Sequence, residues 1–138
     1  MFEEKKNKHL AKLKNQVAQY FSGEREEFEL TLAPDGTIFQ QKVWSELLKI
    51  PFGKTRTYKE QSISVGDVKA IRAVATANGA NPIAIIIPCH RIIGSDGSLT
   101  GYAGGLWRKK WLLEFEANKK GNARQLSLLN AFNTSANE

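Results

Sequence analysis

The sequence contains one cysteine and two histidines among its 138 residues. A single cysteine excludes an internal disulfide, and so few thiol and imidazole groups argue against a zinc site built by this chain alone. No apolar run is as long as a membrane span, and the N-terminus lacks the apolar core of a signal peptide. These absences predict a cytoplasmic protein that holds no metal and contacts no membrane.

Nucleotide-binding motifs and internal repeats are also absent. The glycine-rich segment 100–105 lacks the spacing of a phosphate-binding loop, so the sequence predicts no nucleotide cofactor. What remains is the composition of a soluble globule, with 41% hydrophobic and 25% charged residues. The formal net charge of +6 favours a polyanionic partner, although many basic proteins bind nothing acidic.

Helical periodicity dominates the chain, and the expected fold class is mainly α with a small β element. Apolar spacing and capping residues predict helices at about 3–20, from Thr37 to about 50, and at 58–64, 68–78 and 106–117. Short apolar or alternating runs predict strands at 28–32, 85–87 and 92–93. The apolar face expected for the last helix consists of Trp107, Trp111, Leu112 and Phe115.

Two of the predicted helices, at 58–64 and 68–78, are joined by a tight turn that contains Gly66. This is the pattern of a helix-turn-helix, whose second helix enters a DNA groove. Small side chains along the second helix would let it approach a nucleic-acid backbone closely, with Arg72 as its long cation. The same pattern occurs in many folds that do not bind DNA, and alanines also suit a helix packed against a neighbour.

The only cysteine lies between two runs of β-branched residues, at 85–87 and 92–93. Because proline cannot donate to a sheet ladder, the first strand should end at Pro88, with Cys89 just beyond it. His90 and Arg91 follow, and nearby cations favour the reactive thiolate form of cysteine. The alternative is a lone buried cysteine that acts only as a small hydrophobic residue.

Seven short motifs occur in a fixed order along the chain. They are Phe-Gln-Gln-Lys-Val-Trp (39–44), Ile-Pro-Phe-Gly (50–53), Thr-Tyr (57–58), Ile-Arg-Ala-Val (71–74), Asn-Pro (81–82), Ile-Pro-Cys-His-Arg (87–91) and Gly-Tyr-Ala-Gly-Gly (101–105). Over residues 36–117 this set resembles the O6-alkylguanine-DNA alkyltransferases, also called methylated-DNA–protein-cysteine methyltransferases. The resemblance implies a helix-turn-helix, winged-helix-like catalytic domain.

The resemblance also implies a reaction. A monomer would bind double-stranded DNA that contains O6-alkylguanine, flip the damaged base out of the stack, and transfer the alkyl group irreversibly to Cys89. Each molecule would act once, with no cofactor, because the protein itself is the acceptor. Extrusion is required because an enzyme pocket cannot reach the O6 atom inside the duplex.

Five catalytic roles follow from the resemblance. Cys89 resembles the alkyl acceptor, and His90 resembles the base that deprotonates it through a water molecule. Glu116 resembles the carboxylate that orients the histidine, although an exposed helix glutamate is the plainer interpretation. Asn81 resembles the asparagine that braces the active-site turn, and Tyr58 resembles the phenol that donates to the leaving guanine.

The remaining roles concern DNA and the flipped base. Arg72 resembles the finger that fills the gap in the stack, on a recognition helix placed in the minor groove. The other implied DNA contacts are Thr57, Lys69, Ala70 and Ala73. Backbone groups of Cys89 and Ile92 would hold the guanine amine, and Tyr58, Tyr102 and Ala103 would line the base pocket.

The chain departs from the family pattern in three places. Relatives usually carry an α/β domain first, whereas residues 1–36 predict one helix and one strand, which we expect to be its remnant. Residues 37–117 are then the catalytic DNA-binding domain, and 118–138 a flexible tail. Gln61 stands where an apolar residue is expected, which puts the packing of the first motif helix in question. Ala75 stands where many relatives have glycine.

Two further hypotheses stay open. Alkyltransferase-like proteins bind damage without repairing it and lack the cysteine, so Cys89 favours the enzyme. A helix-turn-helix regulator with an inert cysteine is a more distant alternative. In the tail, Gln-Leu-Ser-Leu-Leu (125–129) resembles the motif by which bacterial repair proteins bind the sliding clamp, but it also fits a short helix packed back on the domain.

Overall fold

The computed structural model describes residues 2–120 of the chain. These residues divide into two compact units, with the first ending at Ala33 and the second beginning at Pro34. The motif at 125–129 lies outside the described residues. The tail was expected to begin at 118, but residues 118–120 form the last turn of a helix.

The first unit is built on one long helix, α1 (Phe2–Ser22), as the apolar spacing predicted. Gly23 follows the last residue of the helix, and its φ of 85° is the left-handed conformation typical of a helix terminus. Near this end Tyr20 is completely buried. Its ring stacks on Phe28 at a centroid distance of 5.7 Å and meets the edge of Phe21 at 5.1 Å.

The strand predicted at 28–32 is wrong. The segment alternates half-buried and exposed side chains as expected, yet it has no strand assignment. Instead, the Gln16 side chain accepts from the backbone N–H of Glu29 at 2.8 Å and donates to its carbonyl at 3.2 Å. A strand needs a partner strand for its ladder, and here a helix side chain takes part of that role.

Between residues 34 and 120 the second unit contains four α-helices: α2 (Ile38–Leu47), α3 (Tyr58–Val65), α4 (Ile71–Gly79) and α5 (Leu106–Lys120). Thr37 caps α2 and Thr57 caps α3, each in a reciprocal capping box with a residue three positions later. The helix predicted from 68 begins as a 3₁₀ turn, Val68–Ala70, capped by Asp67, and continues as α4.

Helices α3 and α4 form the predicted helix-turn-helix. Gly66 ends α3 with a φ of 110°, which a side chain would oppose. Val43, Trp44 and Leu47 of α2 are buried with Val74 and Ala77 of α4. The indole Nε1 of Trp44 also donates to the carbonyl of Ala77 at 2.9 Å, so a directional bond fixes the C-terminal end of α4 on α2.

Two very short parallel strands, β1 (Arg56–Thr57) and β2 (Ile92–Ile93), pair Arg56 with Ile92 and Thr57 with Ile93. The strand predicted at 92–93 is therefore confirmed. Because α3 starts directly after β1, this pairing places the start of α3 beside the chain that follows Cys89.

The strand predicted at 85–87 is wrong. Ile85 has a φ of 75°, and the N–H of Ile87 donates back to the carbonyl of Ile83 at 3.0 Å. The side chain of Asn81 holds the same loop, accepting from the N–H of Ile83 at 2.9 Å and donating to the carbonyl of Ile87 at 2.7 Å. These bonds impose a turn on residues whose local preference is extended.

The apolar face predicted for α5 is only partly correct. Trp107 is 69% exposed and Trp111 47% exposed. The buried face instead includes two charged residues, Lys109 at 1% and Glu116 at 0% exposure, together with Leu112, Leu113 and Ala117. The helix therefore faces the core with a mixed surface, which a hydrophobic pattern does not reveal.

Neither a membrane-spanning helix nor a metal-binding cluster occurs within residues 2–120. No helix there combines the length and the apolar character needed to cross a membrane. No three His, Cys, Asp or Glu side chains of those residues are grouped as a metal site requires.

Candidate active site

Cys89 begins a 3₁₀ turn, Cys89–Arg91, directly after Pro88. Its thiol is free and half-buried, whereas the next two side chains are buried, His90 at 0% and Arg91 at 6% exposure. The turn therefore leaves the thiol partly exposed and directs the two basic side chains into the core. This geometry suits an accessible nucleophile supported from behind.

His90 is held by Glu116 of α5. The distance between His90 Nε2 and Glu116 Oε2 is 2.7 Å, and both side chains are fully buried. Because a carboxylate accepts, Nε2 carries the proton and Nδ1 of a neutral ring is the acceptor. Nδ1 is buried and makes no hydrogen bond to any described group of the protein. The imidazole is thus oriented with one basic nitrogen uncommitted.

Arg91 completes the support of Glu116, a role that the sequence did not indicate. Its Nε donates to Oε1 at 2.8 Å and Nη2 to Oε2 at 2.9 Å, while Nη1 donates to the carbonyl of Ile50 at 2.7 Å. The N–H of Gly53 also reaches Oε1 at 3.2 Å. This fork of parallel bonds is the strongest common arrangement between arginine and a carboxylate.

The charge states of the buried pair follow from these contacts. Burial alone would raise the pKa of Glu116, but the hydrogen bonds from His90 and Arg91 and the positive charge of Arg91 outweigh it and lower the pKa to about 2. Burial lowers the pKa of His90, and the bond to Glu116 opposes that change only in part. At neutral pH the glutamate is therefore ionised and the histidine is a neutral base.

The thiol itself is not strongly activated in the free protein. Burial raises the pKa of Cys89, and a hydrogen bond from the Asn81 side chain and the positive charge of Lys109 offset this rise only in part. Asn81 also braces the preceding loop through its bonds to Ile83 and Ile87. The asparagine therefore contacts both the thiol and the loop before it, and the thiol needs a base to ionise.

Lys109 was missed by the sequence analysis and belongs to this site. Its Nζ donates to the carbonyl of Thr100 at 3.0 Å and lies 5.6 Å from the centre of the Tyr58 ring. Burial lowers the pKa of Lys109 to about 8, and the negative charge of a Cys89 thiolate acts in the opposite direction. Its place seven residues before Glu116, on the same face of α5, was the available signal.

Two tyrosines flank the thiol. The Tyr58 hydroxyl donates to the carbonyl of Thr100 at 2.9 Å, and burial raises its pKa. Burial, followed by the charge of Cys89, raises the pKa of Tyr102 to about 12. Both phenols therefore remain protonated donors. A side chain at Gly104 would come within 2.8 Å of the Tyr102 ring, so the glycine permits this close packing.

The predicted DNA-contacting residues lie on the outer side of the helix-turn-helix. Lys69, Arg72 and Ala73 are exposed, and Thr57 and Ala70 are half-buried. Sequence reasoning missed two apolar residues of this surface, Val68 at 46% and Ile71 at 40% exposure. The residues predicted to line the base pocket differ in exposure, since Ile92 is buried, Tyr102 half-buried and Ala103 exposed. The backbone N–H of Ile92 donates to the carbonyl of Cys89.

Residues 38–118 match the family model described as 6-O-methylguanine DNA methyltransferase, DNA binding domain. The chain belongs to this family. It is 61% identical over 103 residues to the methylated-DNA–protein-cysteine methyltransferase of Methanosarcina barkeri, covering 75% of this chain and 65% of that protein. It is 48% identical over 115 residues to the constitutive enzyme of Bacillus subtilis, covering 83% and 70%. The chain therefore spans just under two thirds of the first of these relatives.

Solved structures agree with the family assignment. The O6-methylguanine methyltransferase of Mycobacterium tuberculosis matches with a TM-score of 0.75 and 52% identity, over 79% of this chain and 66% of that one. A complex of the M. tuberculosis protein with DNA matches at 0.74 and 54%, over 76% and 64%. Schizosaccharomyces pombe Atl1, bound to DNA containing O6-carboxymethylguanine, matches at 0.52 and 33%, over 60% and 79%. The expected alkyltransferase fold is confirmed.

Proposed function

We propose that this chain is a DNA repair protein that transfers an alkyl group from O6-alkylguanine in double-stranded DNA to Cys89. The observation that carries the proposal is the half-buried thiol beside a buried His90–Glu116 pair at 2.7 Å. Two alkyltransferases matched above share about half or more of their aligned residues with the chain. Cys89 is also the only cysteine in the sequence.

The proposed reaction starts with the thiol proton. It passes from Cys89 through a water molecule to Nδ1 of His90, and Glu116 stabilises the resulting imidazolium. The sulfur then attacks the alkyl carbon, so that an S–C bond forms as the C–O6 bond of the guanine breaks. The product is a thioether on Cys89, which water does not reverse, and each molecule therefore reacts once.

The leaving guanine needs a proton as negative charge builds on it, and Tyr58 is the proposed donor. Its hydroxyl is committed to the carbonyl of Thr100 at 2.9 Å, so donation to a base requires it to exchange acceptors. Lys109 donates to the same carbonyl at 3.0 Å and would satisfy that oxygen afterwards. The proton held by the His90 imidazolium then passes through solvent to the Tyr58 phenolate, so the reaction as a whole moves the thiol proton of Cys89 to the guanine and leaves both His90 and Tyr58 as they began.

Extrusion of the base is proposed for the exposed face of α4. The duplex would lie with its minor groove against this helix, contacted by Thr57, Lys69, Ala70 and Ala73, and Arg72 would occupy the gap in the stack. The flipped guanine would be held by backbone groups of Cys89 and Ile92 and covered by Tyr102 and Ala103. Flipping costs a few kcal/mol, so a side chain that fills the gap assists it.

Two further proposals concern the domain boundaries and the partners other than DNA. We assign the proposed activity to residues 37–117 and propose that the protein acts as a monomer. The motif at 125–129 is proposed to bind a sliding clamp. A peptide spanning 123–132 should bind the clamp and lose binding in Gln125→Ala and Leu128→Ala, and binding indifferent to both changes would remove the idea.

The test of the reaction is stoichiometric. The protein is incubated with a duplex containing O6-methylguanine, and both partners are then analysed by intact mass. We expect each protein molecule to gain one methyl group as one lesion is converted to guanine, and excess lesion to remain unrepaired. Cys89→Ala is the matched control and should bind the duplex without gaining mass.

A second candidate is a damage-binding protein without transferase activity. The structural likeness to Atl1 in complex with damaged DNA favours it, while the presence of Cys89 in an activating site favours the enzyme. The same incubation separates the two, since a damage-binding protein would retain the lesion in a stable complex and show no mass gain.

A further inference from the structure

Gln61 is the residue of α3 that departs from the expected apolar pattern. It is 1% exposed, and Asn78 of α4 is 5% exposed. The two amides form a reciprocal pair, in which Gln61 Nε2 donates to Asn78 Oδ1 at 2.7 Å and Asn78 Nδ2 donates to Gln61 Oε1 at 2.8 Å. A buried glutamine is thus satisfied by a partner 17 positions away in the sequence.

The pair joins the elements that carry the proposed chemistry. Gln61 lies one helical turn after Tyr58 on α3, and Asn78 lies at the far end of α4 from Arg72. The carbonyl of Asn78 also accepts from the N–H of Asn81 at 3.2 Å. Asn81 in turn braces the loop before Cys89. This pair of hydrogen bonds therefore connects α3, which carries Tyr58, with α4, which carries Arg72, and through Asn81 with the turn that begins at Cys89.

Stability alone does not require such a pair. Two apolar residues of the same shape can replace a buried hydrogen-bonded pair with little change in stability, whereas removal of one partner leaves a buried amide unpaired at a large cost. What apolar contacts lack is direction. Two antiparallel amide bonds fix how far one helix lies along the other, and buried polar pairs are known to specify register in this way.

We propose that Gln61 and Asn78 are positioning residues for the reaction on DNA: their pair holds α4, with Arg72, in register with α3 and the Cys89 turn. The inference rests on the proposed function. It predicts a defect confined to substrates that must be extruded from a duplex. A free base reaches Cys89 without help from α4, so its reaction should not depend on the pair.

The test compares Gln61→Met, Asn78→Leu and the double variant with the wild type. Each sample is assayed for its melting temperature, for its rate with a duplex containing O6-methylguanine, and for its rate with free O6-benzylguanine. The ratio of the two rates is taken from one sample, so the fraction of folded protein cancels. Val43→Ala is the matched control, because it removes buried volume from the same core without touching the pair.

Both single variants should melt at lower temperature than the wild type, and the double variant should recover most of that loss. In the double variant the rate on duplex DNA divided by the rate on free O6-benzylguanine should nevertheless stay roughly tenfold below the wild-type value. This factor is within the range of couplings measured between contacting residues. Val43→Ala should melt earlier and keep the wild-type ratio. A double variant with the wild-type ratio would show that the pair is structural only and would overturn the inference.

Failure of the proposed function is a separate outcome. If neither substrate transfers an alkyl group to Cys89 of the wild type, the proposed function is wrong, and the inference falls with it. A wild type that reacts with both substrates, alongside variants that slow both equally, would leave the function in place and remove the positioning role.

Discussion

The nucleophile centre and the helix-turn-helix face of this protein are built in opposite ways. At the centre, His90 and Glu116 are completely buried and Arg91 binds Glu116 through bonds of 2.8 and 2.9 Å. On the outer face of α4, Arg72 and Ala73 are exposed, and Val68 and Ile71 of the same surface contact solvent with 46% and 40% of their area.

The difference indicates which part of the function exists before DNA binds. Charged hydrogen bonds in a dry site are preorganised and need no rearrangement at the moment of reaction. The DNA face instead offers exposed side chains whose contacts form only with a partner. We therefore expect changes at the centre to slow every substrate, and changes on the face to slow only DNA.

The largest expected effect is that of Glu116→Gln. Loss of the carboxylate charge removes the stabilisation of the imidazolium, and we expect transfer to slow by roughly 100-fold, the scale of general-base catalysis. The loss should be equal for duplex DNA and free O6-benzylguanine. Unfolding should also become easier by about 3 kcal/mol, because Arg91 is left buried without its partner.

The control for this change is Glu114→Gln, on the same helix. Glu114 is half-buried and pairs with Lys110 only at 3.5 Å, so its loss should alter neither rate appreciably. A Glu116→Gln protein that kept wild-type rates would show that the buried pair is structural and not catalytic.

A smaller and more selective effect is expected for Arg72→Ala. Without a side chain to fill the gap, we expect the reaction on duplex DNA to slow by about tenfold, since extrusion alone costs a few kcal/mol. The reaction with free O6-benzylguanine should stay within about twofold of the wild type. Single-turnover rates on both substrates provide the measurement.

The control is Lys49→Ala, which also removes one positive charge, but from a part of the surface outside the proposed DNA-binding face. Lys49 pairs with Glu46 on the surface and is not among the residues assigned to DNA. It should leave the selectivity between the two substrates unchanged. Equal losses on duplex and free base for Arg72→Ala would contradict the division between centre and face.

The sequence predicted those features that depend on residues close together in the chain, and it missed those that depend on contacts formed only in the fold. The starts of α2 and α3 were predicted correctly because the capping boxes at Thr37 and Thr57 each involve residues only three positions apart. The turn at Ile85 was missed because Asn81 imposes it through side-chain bonds to the loop backbone. The segment's β-branched composition carries no trace of that constraint.

The same reasoning explains the charged residues that were missed. The sequence indicated Arg91 only as a cation near the thiol and left Lys109 out, and both are buried where α5 packs against the Cys89 turn. Gln61 looked like a packing defect until Asn78, on the next helix, supplied its partner. The family resemblance named His90 and Glu116 together, and the structure places their side chains 2.7 Å apart, whereas their catalytic roles stay predictions.

The smallest expected effect is the dependence of stability on acid. Glu116 has a pKa of about 2 against an ordinary 4.5, so its contribution to stability is complete above about pH 4.5 and is lost as pH falls toward 2. His90 also has a lowered pKa, so protonation favours the unfolded chain as pH falls below 6.5. Both shifts have the same sign.

Melting temperature should therefore decline steadily from pH 7 to pH 3. Relative to the wild type, Glu116→Gln should show a shallower decline below pH 4.5, because the group that must be protonated is gone. Identical acid profiles for the two proteins would show that Glu116 is not held ionised by its buried partners, and the preorganised centre would lose its electrostatic basis.

The central claim is that Cys89 receives the alkyl group, and peptide mapping tests it most directly. After reaction with a duplex that contains O6-methylguanine, the protein is digested and the mass of each peptide is measured by mass spectrometry. We predict that one methyl group is found on the peptide that contains Cys89, and that fragmentation places it on the sulfur. A methyl group found mainly on any other residue, or none on the protein while the lesion disappears, would contradict the account.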